Sequence, residues 1–349
     1  MRTHFSRRVS LLGLCAAAII AGCAKDETRT SVENSSGGPV IESPEFAAPP
    51  VGKQEIAAPN PAAAPNPSSP AAATSDAPAK KRGLSGLLAS ASSPSAASSS
   101  SSGSSLDERL LFFPVKYPGG DWQPTGLRVD DVEIRSADGT KLHGWYCPAT
   151  NPTAVILYCH GNGGNVTYDA PVLRFLQKEA RATVLEFDYR GYGKSDGRPT
   201  VQGVIADARA ARAWLAQRAG VPEAQIVLMG RSLGGAIAVQ LTADLRPRGL
   251  ILESTFASLR AVAEHHYPLL ASVVPADKLD SAALLAGYDG PLLQSHGDKD
   301  RTIPFASGEA LFLAAKGKKQ FVPIPGADHN APQSGEYYWW LLQYLKELP

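Results

Sequence analysis

Ser232 lies in Gly230-Arg231-Ser232-Leu233-Gly234-Gly235, between an apolar run at 226–229 and a small-residue stretch at 236–243 that reads as a helix. Strand, sharp turn and helix around a central serine are the sequence form of a nucleophile elbow. A serine hydroxyl at its ordinary pKa is a poor nucleophile, so it needs exposure, a neighbouring base and donors for the oxyanion. Glycines two before and two after Ser232 leave room where strand and helix crowd the turn. In a chain so rich in glycine and serine, a bare G-x-S-x-G arises by chance on the order of 0.3 times, so its partners decide the case.

Three further segments supply candidate partners. His160-Gly161-Asn162-Gly163-Gly164-Asn165 follows the apolar run 154–158, and its glycines let backbone N–H groups face a ligand. This suits an oxyanion hole built from the amides of Asn162 and of Leu233, the residue after the serine. His296-Gly297-Asp298-Lys299-Asp300 follows the run 291–294, and Asp328-His329-Asn330 follows the run 319–324. Both come after the serine, giving the chain order Ser, acid, His, which is neither the chymotrypsin order nor the subtilisin order. His329 would take the Ser232 proton and return it to the leaving group, while a carboxylate fixes its tautomer. Asp300, deepest in its loop, is the preferred carboxylate; Asp298 and then Glu253 are the alternatives.

The other histidines have blander readings. His160 is expected to hold the loop that presents Asn162, His296 to bond within the acid loop, and His265 and His266 to lie on a cap helix. His143 falls in an early strand, and His4 in the leader. No spacing such as H-E-x-x-H occurs, so neither a metal nor another cofactor is indicated.

Positioning these residues requires a sheet whose strands all end at one edge. A hairpin is expected from runs 129–135 and 141–147 flanking Asp138-Gly139. Six runs follow, at 154–158, 182–187, 225–229, 249–252, 291–294 and 319–324, several continuously aliphatic as in strands covered on both faces. Helical stretches such as 206–219 lie between most of them. Repeated strand, helix, strand implies an α/β fold with a mostly parallel sheet, right-handed crossovers and ligands at the carboxyl ends. The segment 255–289 is a short cap insert whose Phe256, Leu259, Val262, Tyr267, Leu269, Leu270, Val273 and Val274 either line an acyl pocket or pack on the sheet. Cys147 and Cys159 should lie too far apart for a disulfide and read as buried thiols.

The first third of the chain is different. Arg2, Arg7 and Arg8 precede an apolar run at 9–24 of about 16 residues, short for a membrane span but suited to a signal-peptide core, so residues 1–22 read as a signal peptide. The run ends in Ile20-Ala21-Gly22-Cys23, which resembles a lipobox, with Cys23 as the lipidated residue; a plain secretory signal with an incidental cysteine is the alternative. Residues 6–11 weakly resemble a twin-arginine export motif. Residues 23–105 are rich in Ala, Pro and Ser and cannot bury a core, so they read as a disordered linker. As a coil of about 80 residues its reach is roughly 50 Å. A nucleic-acid partner is not expected, since the formal net charge is +1 and no basic tract interleaves with aromatics. The catalytic domain is placed at 106–349, about 240 residues.

Within that domain the chain is similar to the Bem46/ABHD17-type branch of the α/β-hydrolases. The likeness is carried by HGNGGN (160–165), DYRGYGKSDG (188–197), GRSLGG (230–235), ESTF (253–256), HGDKDRTIP (296–304), DHN (328–330) and the segment LFFPVKYPGGDW (111–122). The resemblance implies an α/β-hydrolase fold with an eight-stranded, mostly parallel sheet and helices on both faces. It also implies a Ser232, Asp300, His329 triad that hydrolyses acyl esters or thioesters. Together these readings give an expected membrane-tethered serine hydrolase, exported and lipid-anchored at Cys23, acting on a small acyl-ester or lipid-like substrate from the periplasmic or outer side. A peptidase or acyltransferase on the same triad, and a catalytically silent binding lipoprotein, are the alternatives.

Overall fold

Alternation along the strands decides how the sheet is covered. The computed structural model describes residues 111–269 and 271–349; the expected signal segment 1–22, Cys23 and the linker 23–105 lie outside the described residues. In strand β4 (Ala154–Cys159), Val155, Leu157 and Cys159 face one apolar cluster and Ala154, Ile156 and Tyr158 face the other. A strand apolar on both faces can be stable only between two layers of helix.

The main sheet has eight strands in the order β10-β9-β8-β7-β4-β6-β3-β2. Strands β2 (Asp130–Arg135) and β3 (Lys141–Cys147) form the expected hairpin, turning at Gly139 with φ +85°. β3 runs antiparallel to β6 (Ala182–Phe187), and the remaining pairings are parallel, through β4, β7 (Ile226–Arg231), β8 (Gly249–Glu253), β9 (Leu292–Gly297) and β10 (Lys319–Ile324). A second, two-stranded sheet pairs β1 (Phe113–Pro114) with β5 (Gly163–Gly164).

One face is covered by α1 (Ala170–Lys178) through Leu173 and Leu176, and by α7 (Gly335–Glu347) through Tyr337, Leu341 and Leu345. The other is covered by α2 (Val201–Ala219), α3 (Leu233–Thr242), α5 (Ser281–Leu285) and α6 (Phe305–Ala314). α4 (Leu259–His266) lies in the cap insert. From β4 the chain winds outward to β6 and then returns past β4 to β7, so the winding reverses between β4 and β7. The crevice at the carboxyl ends of such a switch is where ligands bind in open α/β sheets.

Some boundaries differ from those the sequence suggests. α2 starts at Val201 rather than 206, because the Thr200 side chain accepts from Gly203 N–H and caps the helix there. α3 starts at Leu233 rather than 236: Gly234 and Gly235 read locally as turn residues, but both are helical and are glycines for closeness. A Cβ on Gly234 would come 2.0 Å from the Cys159 carbonyl oxygen. β9 runs on to Gly297, placing His296 inside the strand. Cys147 and Cys159 are buried, free and on opposite faces, and burial pushes both thiols up to about 12.

Candidate active site

The turn from β7 into α3 forces Ser232 into a left-handed conformation, φ +53°, ψ −121°. A non-glycine residue with positive φ is strained, and here the surroundings hold it. Its N–H donates to the Glu253 carbonyl at 2.9 Å, and its own carbonyl accepts from the Thr255 hydroxyl at 2.7 Å. On the strand side of the turn, a Cβ on Gly230 would come 2.3 Å from the Gly234 carbonyl oxygen, so only glycine fits. The side chain that emerges is 8% exposed.

Ser232 Oγ lies 3.0 Å from His329 Nε2, and His329 Nδ1 lies 2.7 Å from Asp300 Oδ2. The carboxylate can only accept, so Nδ1 carries the proton and Nε2 is left to accept from the serine hydroxyl. The other Asp300 oxygen accepts from the N–H groups of Thr302 at 2.9 Å and Ile303 at 2.7 Å, and His296 Nε2 stands 3.3 Å from Oδ2. Burial alone would raise this carboxyl, but the hydrogen bonds from His296, His329 and the Ile303 N–H outweigh it and hold Asp300 well below the usual carboxylate range. His329 is pulled below the ordinary 6.5 by burial, although Asp300 opposes this. The imidazole is therefore neutral at pH 7, as a base must be.

The two alternative acids are engaged elsewhere. Asp298 Oδ1 accepts from Gly326 N–H at 2.7 Å, bracing the turn after β10. Glu253 is buried on the α7 face, where the Tyr337 hydroxyl donates to it at 2.5 Å and burial pushes its carboxyl up to about 7. Asp328 accepts from the N–H groups of His329 at 2.8 Å and Arg301 at 2.9 Å, tying the histidine loop to the acid loop.

The loop 160–165 passes close to Ser232, with a Cβ on Gly161 lying 3.9 Å from that of Ser232. Leu233 opens α3, so its N–H has no carbonyl one turn back to bond. Asn162 sits in the adjacent turn, its carbonyl accepting from the Tyr192 hydroxyl at 2.8 Å. His160 is buried, donates from Nδ1 to the Gly161 carbonyl at 2.7 Å, and packs 4.1 Å from the Tyr189 ring. Burial lowers its pKa and keeps it neutral. Its part is to shape the loop, as expected.

Several supports have no sequence assignment above. Tyr189 donates to the His160 carbonyl at 2.8 Å, and the Tyr192 oxygen also accepts from Phe113 N–H at 3.2 Å. Asn165 donates from Nδ2 to the carbonyls of Val115 at 3.0 Å and Gly119 at 2.9 Å, while its Oδ1 accepts from Thr167. His143, beyond lying in a strand, bridges Asp188 at 2.8 Å and Asp131 at 2.6 Å, and Asp188 in turn accepts from Val166 N–H. The available signal was the segment 188–197, which has no periodicity yet follows a parallel strand at its carboxyl end, where loops carry function. In the cap, Phe256 is buried and Leu259 and Val262 pack on the core, but Leu269 and Val273 are 94% and 64% exposed. His266 Nε2 donates to the Thr302 carbonyl at 2.8 Å, fastening the cap helix to the acid loop. Among the described residues, no group of three or more His, Cys, Asp or Glu is placed to hold a metal ion.

Residues 154–272 match the family profile described as the alpha/beta hydrolase fold. An uncharacterised protein of Mycobacterium tuberculosis is 38% identical over 232 residues, covering 66% of this chain and 82% of that one. WAV2, an alpha/beta hydrolase domain-containing protein of Arabidopsis thaliana, is 30% identical over 277 residues, covering 70% and 88%. Bem46 of Schizosaccharomyces pombe is 29% identical over 255 residues, covering 66% and 83%. Among solved structures, an esterase of Pyrococcus furiosus superposes with a TM-score of 0.56 at 22% identity, covering 68% of this chain and 98% of that one, a likeness of fold. The chain belongs to the α/β-hydrolase family, in the branch that contains Bem46 and WAV2.

Proposed function

We propose that the chain is an exported, lipid-anchored serine hydrolase that cleaves carboxylic ester or thioester bonds through an acyl-enzyme. The observation that carries this reading is the unbroken relay from Ser232 Oγ to His329 at 3.0 Å and on to Asp300 at 2.7 Å. His329 Nε2 takes the hydroxyl proton as Oγ adds to the acyl carbonyl carbon, and the oxyanion is met by the two amides. The tetrahedral intermediate collapses with the C–O or C–S bond breaking. His329 returns the proton to the departing alcohol or thiol. Water, deprotonated by His329, then adds to the acyl-serine; the bond from the acyl carbon to Ser232 Oγ breaks, His329 returns the proton to Oγ, and the carboxylic acid leaves. Asp300, held ionised, stabilises the imidazolium at each transfer. The lipobox-like Ile20-Ala21-Gly22-Cys23 supports the anchor.

The purified protein should react with a fluorophosphonate probe and hydrolyse short p-nitrophenyl esters. Ser232→Ala should abolish labelling and lower kcat by at least about 10⁴-fold. Equal labelling of both proteins would remove the reading. Amine, alcohol and peptide acceptors in the same assay separate hydrolysis from acyl transfer and peptidase activity. Incorporation of an alkyne fatty acid that is lost in Cys23→Ser tests the anchor.

A further inference from the structure

The residue just before the nucleophile does not turn to solvent. Arg231 Nη2 donates to the His329 carbonyl at 2.8 Å and to Asn330 Oδ1 at 2.6 Å. Its Nη1 also lies 3.6 Å from where a Cβ on Gly161 would stand, against the oxyanion loop. The guanidinium thus starts one peptide from Ser232 and ends on the backbone of the base, closing a short loop that bypasses Asp300. Asp300 holds the imidazole by its ring; Arg231 holds the same residue by its main chain. A planar fork with several donors can grip a carbonyl and a side-chain amide together, which a lysine ammonium on a flexible stem does poorly.

We propose that Arg231 is a positioning residue, which fixes the reach of His329 to Ser232 and keeps a positive charge beside the imidazole. The proposal rests on the serine-hydrolase reading above. The charged and titratable groups around His329 are Asp300 from the acid loop, His296 from β9, Asp328 in its own loop with Arg301 paired to it, and Arg231 itself. Those around Arg231 are Glu253, its register partner on β8, and Tyr158 on β4, with Tyr337 of α7 capping Glu253. Asp300 favours the imidazolium. Burial, Arg231 and His296 disfavour it. Hydrolysis requires neutral His329, so kcat/KM rises with pH through the histidine pKa; losing the cation raises that pKa and moves the acid limb to higher pH.

The test uses the whole chain with Arg231→Met, Arg231→Lys and Asn330→Ala, assayed on a p-nitrophenyl ester from pH 4.5 to 9 by the choice of about ten buffers, with fluorophosphonate labelling and thermal unfolding alongside. Arg231→Met is expected to lower plateau kcat about 10- to 100-fold at nearly unchanged KM, the scale of a displaced catalytic group, and to shift the acid limb upward. Arg231→Lys should lose kcat similarly but keep the wild-type limb, because the charge stays while the fork is lost. Asn330→Ala removes only one of the two contacts and should cost less than about 10-fold with the limb unmoved. Wild-type kcat and limb in the Met variant overturn the proposal while the hydrolase reading stands. Equal limbs in the Met and Lys variants also overturn it. Should the Met variant fail to fold, the Lys and Asn330 variants carry the test, and wild-type kcat in both overturns the proposal. A wild-type protein that neither labels nor hydrolyses overturns the reading itself, and the proposal with it.

Discussion

The two walls of the site are built in opposite ways. The loop wall, residues 160–165, which we propose holds the oxyanion, is pinned from several directions: by a two-residue ladder to β1, by Tyr189 and Tyr192, and by Asn165, whose amide reaches two carbonyls of the segment after β1. Asn165 is 1% exposed, and each polar atom of its side chain is bonded. The cap wall is held lightly. α4 buries only Ala263 fully, is capped by Ser258, and touches the acid loop through His266, while Leu269 and Val273 face outward. An oxyanion hole works only if its donors are in place before charge develops, so its geometry must be over-determined. A wall that meets the variable part of a substrate is under no such demand, and local stability follows local packing.

Four substitutions would sharpen or break this contrast. The largest effect is expected from Asn165→Ala, which frees the segment after β1 from the oxyanion loop. It should lower kcat for a p-nitrophenyl ester about 10- to 100-fold with little change in KM. A kcat within twofold of wild type would mean that the ladder to β1 holds the loop by itself.

Next comes Glu253, at the end of β8 beside the elbow, in register with Arg231. Its pKa is raised from 4.5 to about 7 by burial, so the folded state binds its proton more tightly than the unfolded chain. That contribution to stability is fully present below pH 4.5 and is lost as pH rises through about 7. Glu253→Gln removes the loss, so the variant should gain stability relative to wild type between pH 5 and pH 8, by about 3 kcal/mol at most. Urea unfolding at the two pH values checks this, and a pH-independent difference would contradict it.

The smallest structural effect belongs to the cap. Leu269→Ser and Val273→Ser should change unfolding free energy by less than about 0.5 kcal/mol, as for exposed positions. If this wall meets acyl chains, KM for a long-chain ester should rise about 2- to 10-fold while that for acetate is unchanged. An effect on kcat for both esters would erase the contrast between the walls.

The fold was legible in the sequence to a large degree, and the reason is periodicity. Apolar runs such as 154–158 and 182–187 can be satisfied only between two helical layers, and the hairpin at Asp138-Gly139 follows from its turn chemistry. Boundaries moved where a local signal met a tertiary one: Gly234 and Gly235 look like turn residues, yet both are helical, and they are glycines because Cys159 and Thr255 leave no room for a Cβ.

The site divides along the same line. Residue types and chain order were enough to single out Ser232 and His329, which the structure brings together, and to propose the amides of Asn162 and Leu233 as donors, since each follows an apolar run that must end at the same sheet edge. They could only rank Asp300 above Asp298 and Glu253. That choice is geometric: Asp300 turns back to His329 through the bonds of Thr302 and Ile303, Asp298 turns to Gly326, and Glu253 points to the opposite face, onto Tyr337. The braces contributed by Arg231, Asn165, Tyr192 and His143 were equally hidden, because they join residues between 12 and 99 positions apart and leave no local pattern. What the sequence by itself determined is which elements form and which residues reach the carboxyl edge, because periodicity, turns and glycine act over a few neighbours. Which of those residues touch, and what holds them there, was decided only by the tertiary structure, where side-chain direction and burial set each hydrogen bond.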